Sequence, residues 1–200
     1  MVNAILLAAG LSARMGKSNK LLLPYHHTTI LATTLSHLRP AKISKLVVVL
    51  GHDEEKVSKG IGSYKNVDIV YNDLYKTGQV SSMKVGVDAL DSHTPFMIAL
   101  GDMPLITTQN YNELIQAFIG ENINKPTILR PYSTSNKPGN PVLFDHSFIN
   151  DFLANDDLYS SKNIIEKNKN SLVNWKTDIP PFFHDVDTLE DYEKLISSGS

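Results

Sequence analysis

"LLAAGLSARMGKSNKLLLP", residues 6 to 24, decides how the chain is read. Its Gly16-Lys17-Ser18 looks like the end of a P-loop, the phosphate cradle that places four residues between its first glycine and the Gly-Lys-Ser/Thr. Here Gly10 and Gly16 are separated by five, Leu11 through Met15. One extra residue matters, because the loop works by aiming successive backbone N–H groups into a single concave nest. A P-loop also needs a long helix starting at the Gly-Lys-Ser and pointing its positive end at the phosphates. Pro24 follows Ser18 too soon for that helix. What remains is a glycine-rich, cationic loop leaving an apolar run, which still needs an explanation.

The whole chain sets the outer bounds. Two hundred residues with 42% hydrophobic and 20% charged content suit one globular domain, residues 1–200. The formal charge of −2 argues against an extended nucleic-acid surface but leaves room for a local cationic pocket. With no cysteine, thiolate metal sites, disulfides and a cysteine nucleophile are excluded. The apolar run Ala4–Ala9 is too short to span a bilayer and lacks the layout of a signal peptide. A cytoplasmic protein with no membrane and no nucleic-acid partner is the expectation.

Short apolar runs alternate with amphipathic ones. Ala4–Ala8, Lys45–Leu50, Val67–Tyr71 and Phe96–Leu100 read as strands. Thr29–Leu38, Glu54–Gly60 and Val80–Leu90 carry apolar residues at helical spacing, and Asp53 is a candidate cap for the second of these. Such alternation implies crossover units and a mostly parallel sheet covered on both faces. Later the rhythm loosens: helices are expected at Tyr111–Ile119, Phe148–Leu153, Ser161–Lys167 and Thr188–Ile196. Strands are expected at Thr127–Leu129, at the end of the turn-rich stretch 130–144, at Val173–Trp175 and at Phe182–Val186. The fold class is α/β, one doubly wound, Rossmann-like domain with a more irregular second half.

Ligands in such sheets bind beyond the carboxyl ends of the strands. In the opening loop, Gly10 and Gly16 permit close backbone approach, and Arg14, Lys17 and Lys20 supply cationic donors. The alternative is a solvated basic loop. In "IALGDMPLIT", residues 98–107, Asp102 stands just past a buried strand, where a carboxylate can hold Mg²⁺ or merely close a turn. In "HDVDTLEDYEKL", residues 184–195, Thr188 to Asp191 reads as a capped helix start. Asp185 and Asp187 fall on one side if that segment is extended, and either could complete a metal site with Asp102. Gly78, Gln79, Ser81 and Ser82 sit at a helix start that suits an anion or, for the serines, ordinary capping. His26-His27 is the only histidine cluster, and no zinc-type spacing supports a role for it.

"LAAGLSARMGKSNKLLLP", "GDMP" and "DVDTLEDY", together with "YNDLYKTGQVSSMKVGVDAL" and "PGNPVLF", resemble in content and order the MobA-like nucleotidyltransferases, most closely their molybdenum cofactor cytidylyltransferase branch. The resemblance spans nearly the full chain. It implies a fold of the nucleotide-diphospho-sugar transferase type with a mixed sheet. It also implies Mg²⁺-dependent transfer of a nucleoside monophosphate from an NTP to a phosphorylated, pterin-type acceptor, with release of pyrophosphate and a molybdoenzyme as a further partner. Carried onto this sequence, Leu7, Ala8, Ala9 and Gly10 would line the base and ribose, helped by Gly78, Gln79 and Ser82. Arg14 and Lys20 would hold the triphosphate and act in catalysis with Asp102. Asp102 would bind the metal with Asp187 or Asp185, and Gly139-Asn140-Pro141 would meet the acceptor.

Guanylyl-transferring relatives usually read Leu-Ala-Gly-Gly where this chain has Leu7-Ala8-Ala9-Gly10, so Ala9 leans towards CTP. Asn140 stands where relatives often carry histidine, and Leu189 replaces a proline common there. Two other readings stay open. One is the same transfer to another small phosphorylated metabolite. The other is a non-catalytic protein that binds and inserts molybdenum cofactor. A dinucleotide-dependent oxidoreductase is disfavoured, since no Gly-x-Gly-x-x-Gly follows the first strand.

Overall fold

The first strand shows why the sheet is double-faced. In the computed structural model, all seven residues of β1 (Val2–Ala8) are buried. Ala4, Leu6 and Ala8 join one apolar core, while Ile5 and Leu7 join the other. A strand covered on both faces has no polar side to show, which explains why β1 is apolar apart from the buried Asn3. Residues 1–16, 18–61, 66–91, 93–122, 125–154 and 162–198 are described here. Lys17 and Ser161, named above, lie outside them.

After β1 come a small hairpin, β2 (Pro24–Tyr25) and β3 (Thr28–Thr29), then α1 (Ile30–Leu38), β4 (Ile43–Leu50), α2 (Glu54–Ile61), β5 (Val67–Tyr71), α3 (Gln79–Asp88) and β6 (Phe96–Leu100). The second half holds α4 (Thr108–Glu121), β7 (Ile128–Tyr132), β8 (Val142–Phe144), α5 (Ile149–Leu153), α6 (Lys162–Lys167), β9 (Leu172–Lys176) and α7 (Leu189–Ser198). The seven-stranded sheet has the order β5-β4-β1-β6-β8-β7-β9. Only β8 runs antiparallel to its neighbours; every other pairing in this sheet is parallel. This is the mixed, mostly parallel α/β sheet expected from the sequence.

The order places β1 between β4 and β6, where chain direction across the sheet reverses and a ligand crevice opens. α3 covers one face closely: a methyl group at Gly86 would lie 2.5 Å from Ile5 Cγ2, so only glycine fits. Phe96 of β6, Phe144 of β8 and Phe152 of α5 join the two halves, with ring centroids 5.0–5.5 Å apart. Each such pair adds about 0.5–1.5 kcal/mol beyond its buried area.

Several local expectations change. Residues 182–186 form no strand: Pro180–Phe183 is a short 3₁₀ turn, set by two prolines with fixed φ and no N–H to donate. Beyond it, Val186 makes one backbone bond, from its N–H to the Asp102 carbonyl at 3.0 Å. β7 runs on through Arg130 and Pro131 to Tyr132. Its pairing with β8 ends at Leu129 and the rest of the strand pairs with β9, so the missing proline N–H interrupts no β8 ladder. Asp53 starts α2 through its carbonyl, which accepts from the Lys56 and Val57 N–H groups at 2.9 and 3.0 Å. Its side chain instead lies near His52 and Lys56. His26 and His27 form the turn between β2 and β3.

Candidate active site

The loop after β1 is folded by its own polar side chains. Ser12, in a left-handed conformation (φ 52°), accepts from the Lys20 N–H through its hydroxyl at 3.1 Å. Asn19 accepts from the Leu21 N–H at 3.1 Å. These contacts fix the backbone of Lys20, whose side chain is only 14% exposed. Across the cavity, Gly101 lets β6 end tightly against β1, with its N–H donating to the Leu7 carbonyl at 3.0 Å. Asp102 follows directly. The bond from Val186 to Asp102 then draws the C-terminal segment alongside, which sets Asp185 and Asp187 beside Asp102.

The result is a charge relay of alternating sign. The Lys20 ammonium donates to Asp102 Oδ2 and, at 2.7 Å, to Asp187 Oδ1. Arg14 Nη1 lies 2.9 Å from Asp187 Oδ2. Burial works to lower the Lys20 pKa, but the two carboxylates outweigh it and hold the ammonium above the ordinary lysine value. Burial raises the Asp102 pKa; Lys20 opposes this, but the nearby Asp185 and Asp187 charges add to it, and the net shift is upward. Asp102 Oδ1 is buried without a hydrogen-bond partner. A buried, unsatisfied carboxylate oxygen is costly unless a cation or donor arrives.

These residues line one cavity of about 520 Å³. Leu7, Ala9, Gly10, Arg14, Lys20, Gly78, Gln79, Ser82, Asp102, Asn140, Asp185 and Asp187 all reach it. Ala8 does not, because strand alternation turns its side chain into the opposite core. Pro141 lines neither this cavity nor a smaller adjoining one, and Gly139 lines only the smaller. Gly78 (φ 122°) begins α3 in a conformation suited to glycine and brings no capping side chain. Ser81 is structural: its hydroxyl bonds the Leu74 and Gly78 carbonyls, and both serines accept from Asn72 Nδ2 at 2.9 Å.

Sequence reasoning missed Asn72, and with it the wall residues Tyr75 and Lys76. The stretch "YNDLYKTG" counted only towards the family resemblance, and nothing in its pattern says that Tyr75 and Ala9 come together beside Gly51. Among the described residues there is no group of three or more metal-ligating side chains. Two carboxylates, one with an orphan oxygen, fit an ion such as Mg²⁺, which is held by one or two protein carboxylates with substrate phosphates and water completing its shell.

Residues 4–172 match the MobA-like NTP transferase domain. The chain belongs to that family. A molybdenum cofactor cytidylyltransferase from Escherichia coli is 30% identical over 113 residues, 56% of this chain and 57% of that protein, so the alignment spans little more than half of the relative. A nicotine blue oxidoreductase from Paenarthrobacter nicotinovorans is 26% identical over 149 residues, 72% of this chain and 71% of that protein. Among solved structures, a nucleotidyl transferase from Methanothermobacter thermautotroptrophicus superposes with a TM-score of 0.81 at 19% identity, over 99% of this chain and 97% of that one. The last likeness is one of fold. No helix among the described residues of this MobA-like domain is long and apolar enough to cross a membrane.

Proposed function

We propose that this domain transfers CMP from CTP to the phosphate of molybdopterin or molybdenum cofactor, with Mg²⁺, and releases pyrophosphate. The observation that carries the reading is the single cavity in which Arg14, Lys20, Asp102 and Asp187 meet at the ends of β1 and β6. Such a site needs no protein nucleophile. An oxygen of the acceptor phosphate, ionised near neutral pH, attacks the α-phosphorus and forms the new P–O bond. The bond from the α-phosphorus to the β-bridging oxygen breaks, and pyrophosphate leaves with the electron pair. Asp102 and Asp187 would hold Mg²⁺, which supplies charge neutralisation on the phosphates. Lys20 and Arg14, now bound to carboxylates, would take phosphate oxygens instead and stabilise charge growing on pyrophosphate. The base would lie near Ala9, whose Cβ and that of Tyr75 crowd the space beside Gly51, within 2.6–2.9 Å of where a methyl group there would lie.

A thermal-shift panel with Mg²⁺ and CTP, GTP, ATP or UTP, repeated on Asp102→Ala, tests this. At 100 times its dissociation constant a nucleotide stabilises a fold by about 2.7 kcal/mol. A CTP-selective, Mg²⁺-dependent shift that the variant loses is the expected result. A GTP or ATP preference would move the base assignment and leave open other phosphorylated acceptors. No shift with any nucleotide would favour a non-catalytic cofactor-binding protein, and a shift with NAD(P)H alone would favour redox chemistry.

A further inference from the structure

The two carboxylates assigned above to a divalent cation already carry cations of the chain's own. Asp187 Oδ1 accepts from the Lys20 ammonium at 2.7 Å, and Asp187 Oδ2 lies 2.9 Å from Arg14 Nη1. Asp102 Oδ2 accepts from the same ammonium, so of these four oxygens only Asp102 Oδ1 stays without a partner. The two basic side chains are held differently. That of Arg14 is 67% exposed, whereas those of Lys20 and Asp102 are 14% and 13% exposed. An exposed pair can part because water replaces the lost partner. A buried ammonium cannot, since its charge would be left with neither water nor a carboxylate. Lys20 is tied by its backbone as well, through its N–H to the Ser12 hydroxyl at 3.1 Å.

We propose that the Lys20 ammonium is an internal competitor for the divalent cation. It bridges the same two carboxylates, keeps a bare cation out, and releases them when a ligand's phosphates offer it anionic oxygens in exchange. The inference rests on the reading of this cavity as a nucleotide site. Any cation that bridges Asp102 and Asp187 must take at least one oxygen now engaged by Lys20 or Arg14. Phosphate oxygens make that exchange possible, because they give a charged donor a charged acceptor. Cation and phosphates then favour each other's binding, and the coupling is reciprocal. The site would fill as a unit rather than hold a metal ion in advance. A different arrangement leaves Lys20 in place and seats the cation on Asp102 Oδ1 and the exposed Asp185. There, loss of Lys20 should matter no more than loss of another cation of the cavity.

The test titrates Mn²⁺ alone, as a paramagnetic substitute for Mg²⁺, into the chain and reads free Mn²⁺ by electron paramagnetic resonance. No nucleotide is present. Lys20→Met should bind Mn²⁺ about tenfold or more tightly than wild type, because the competing charged hydrogen bonds are gone. Lys20→Gln removes the charge but keeps a donor; it should also bind more tightly, and it decides the matter if Lys20→Met does not fold. Adding Asp102→Asn to either variant should cancel the gain. Lys76 lines the same cavity, with its Nζ 5.7 Å from the Tyr75 ring centroid. Lys76→Met should change Mn²⁺ affinity by about threefold or less, as expected for an exposed charge. Equal affinity in wild type and the Lys20 variants overturns the proposal. So does a gain in Lys76→Met as large as that in Lys20→Met, or a gain that survives Asp102→Asn. The CTP-induced thermal shift of wild type keeps the two readings apart. Tighter Mn²⁺ binding on loss of Lys20 without a CTP shift upholds the competition and rejects the nucleotide site. A CTP shift with equal Mn²⁺ affinities does the reverse.

Discussion

From β1 to β6 the chain repeats strand and helix with little interruption, and its central strands β1 and β6 are buried on both faces. From α4 onward it inserts the antiparallel β8, carries a proline within β7 and ends on a segment that reaches the site through backbone bonds from Val186 to Asp102 and from Asn140 to Phe182. The first region supplies Lys20 from a short 3₁₀ turn in the loop after β1 and Asp102 from just past the end of β6. The second supplies Asp187, Asn140 and the smaller cavity beside Arg130. On the proposed reading, regular packing fixes the charges that would handle phosphates, where an error of an ångström costs orders of magnitude in rate. On the same reading, the irregular region would shape the surface that meets the acceptor, so the two should fail differently when altered.

The largest break should come from Lys20→Met. It removes the ammonium between Asp102 and Asp187 and leaves a buried carboxylate without its partner. Pyrophosphate release should fall roughly 10²–10³-fold, and the CTP-induced thermal shift should shrink; wild-type turnover would contradict the division of labour. Asn140→Ala, on the wall shared by the two cavities, should raise KM for the acceptor about tenfold, the loss of roughly one hydrogen bond, with KM for CTP unchanged. A matched rise in both would blur the comparison.

Two stability effects sharpen it further. Gly86→Ala pushes a methyl group to 2.5 Å from Ile5, and overpacking of this kind costs about 1–3 kcal/mol, read as a lower Tm with nucleotide selectivity retained. Asp145→Asn acts in the second region and should cost about 1 kcal/mol. Asp145 accepts from the Ser147 N–H at 3.0 Å and from Asn122 Nδ2 at 2.9 Å. Burial would raise its pKa, but the hydrogen bonds from Ser147 and Asn122 win, and it lies below the ordinary 3.8. A depressed carboxylate pKa gives stability that is complete above the unfolded value and lost as pH falls through the folded one. The wild-type advantage over Asp145→Asn should therefore be full at neutral pH and vanish in acid below about 3.8, as urea melts at several pH values would show.

The first region was legible because strands covered on both faces, such as β1 and β6, leave mostly apolar runs, and the stretches after them carry Arg14, Lys20 and Asp102 close to glycines. The Thr188–Asp191 helix start was legible too, and its reciprocal bonds are present: the Thr188 N–H to Asp191 at 2.8 Å and the Asp191 N–H to Thr188 at 3.2 Å. Less could be read of sites made by long-range approach. Met83, Ile98, Val142, Phe144 and Phe152 look like ordinary core in sequence, and the smaller cavity they line exists only because β8 enters antiparallel beside β6. Asn72 looks like a loop residue until its amide is found under α3. Residues 182–186 read as a strand from their apolar content, but Pro180 and Pro181 had already set a turn.

Asp102→Asn tests the central claim most directly, because it keeps shape and removes only the charge shared with Lys20 and offered to the cation. With CTP, Mg²⁺ and molybdopterin, wild type should release pyrophosphate and the variant should do so roughly 10²–10³-fold more slowly, with its circular dichroism spectrum unchanged. A folded variant that retains the wild-type rate would contradict the account.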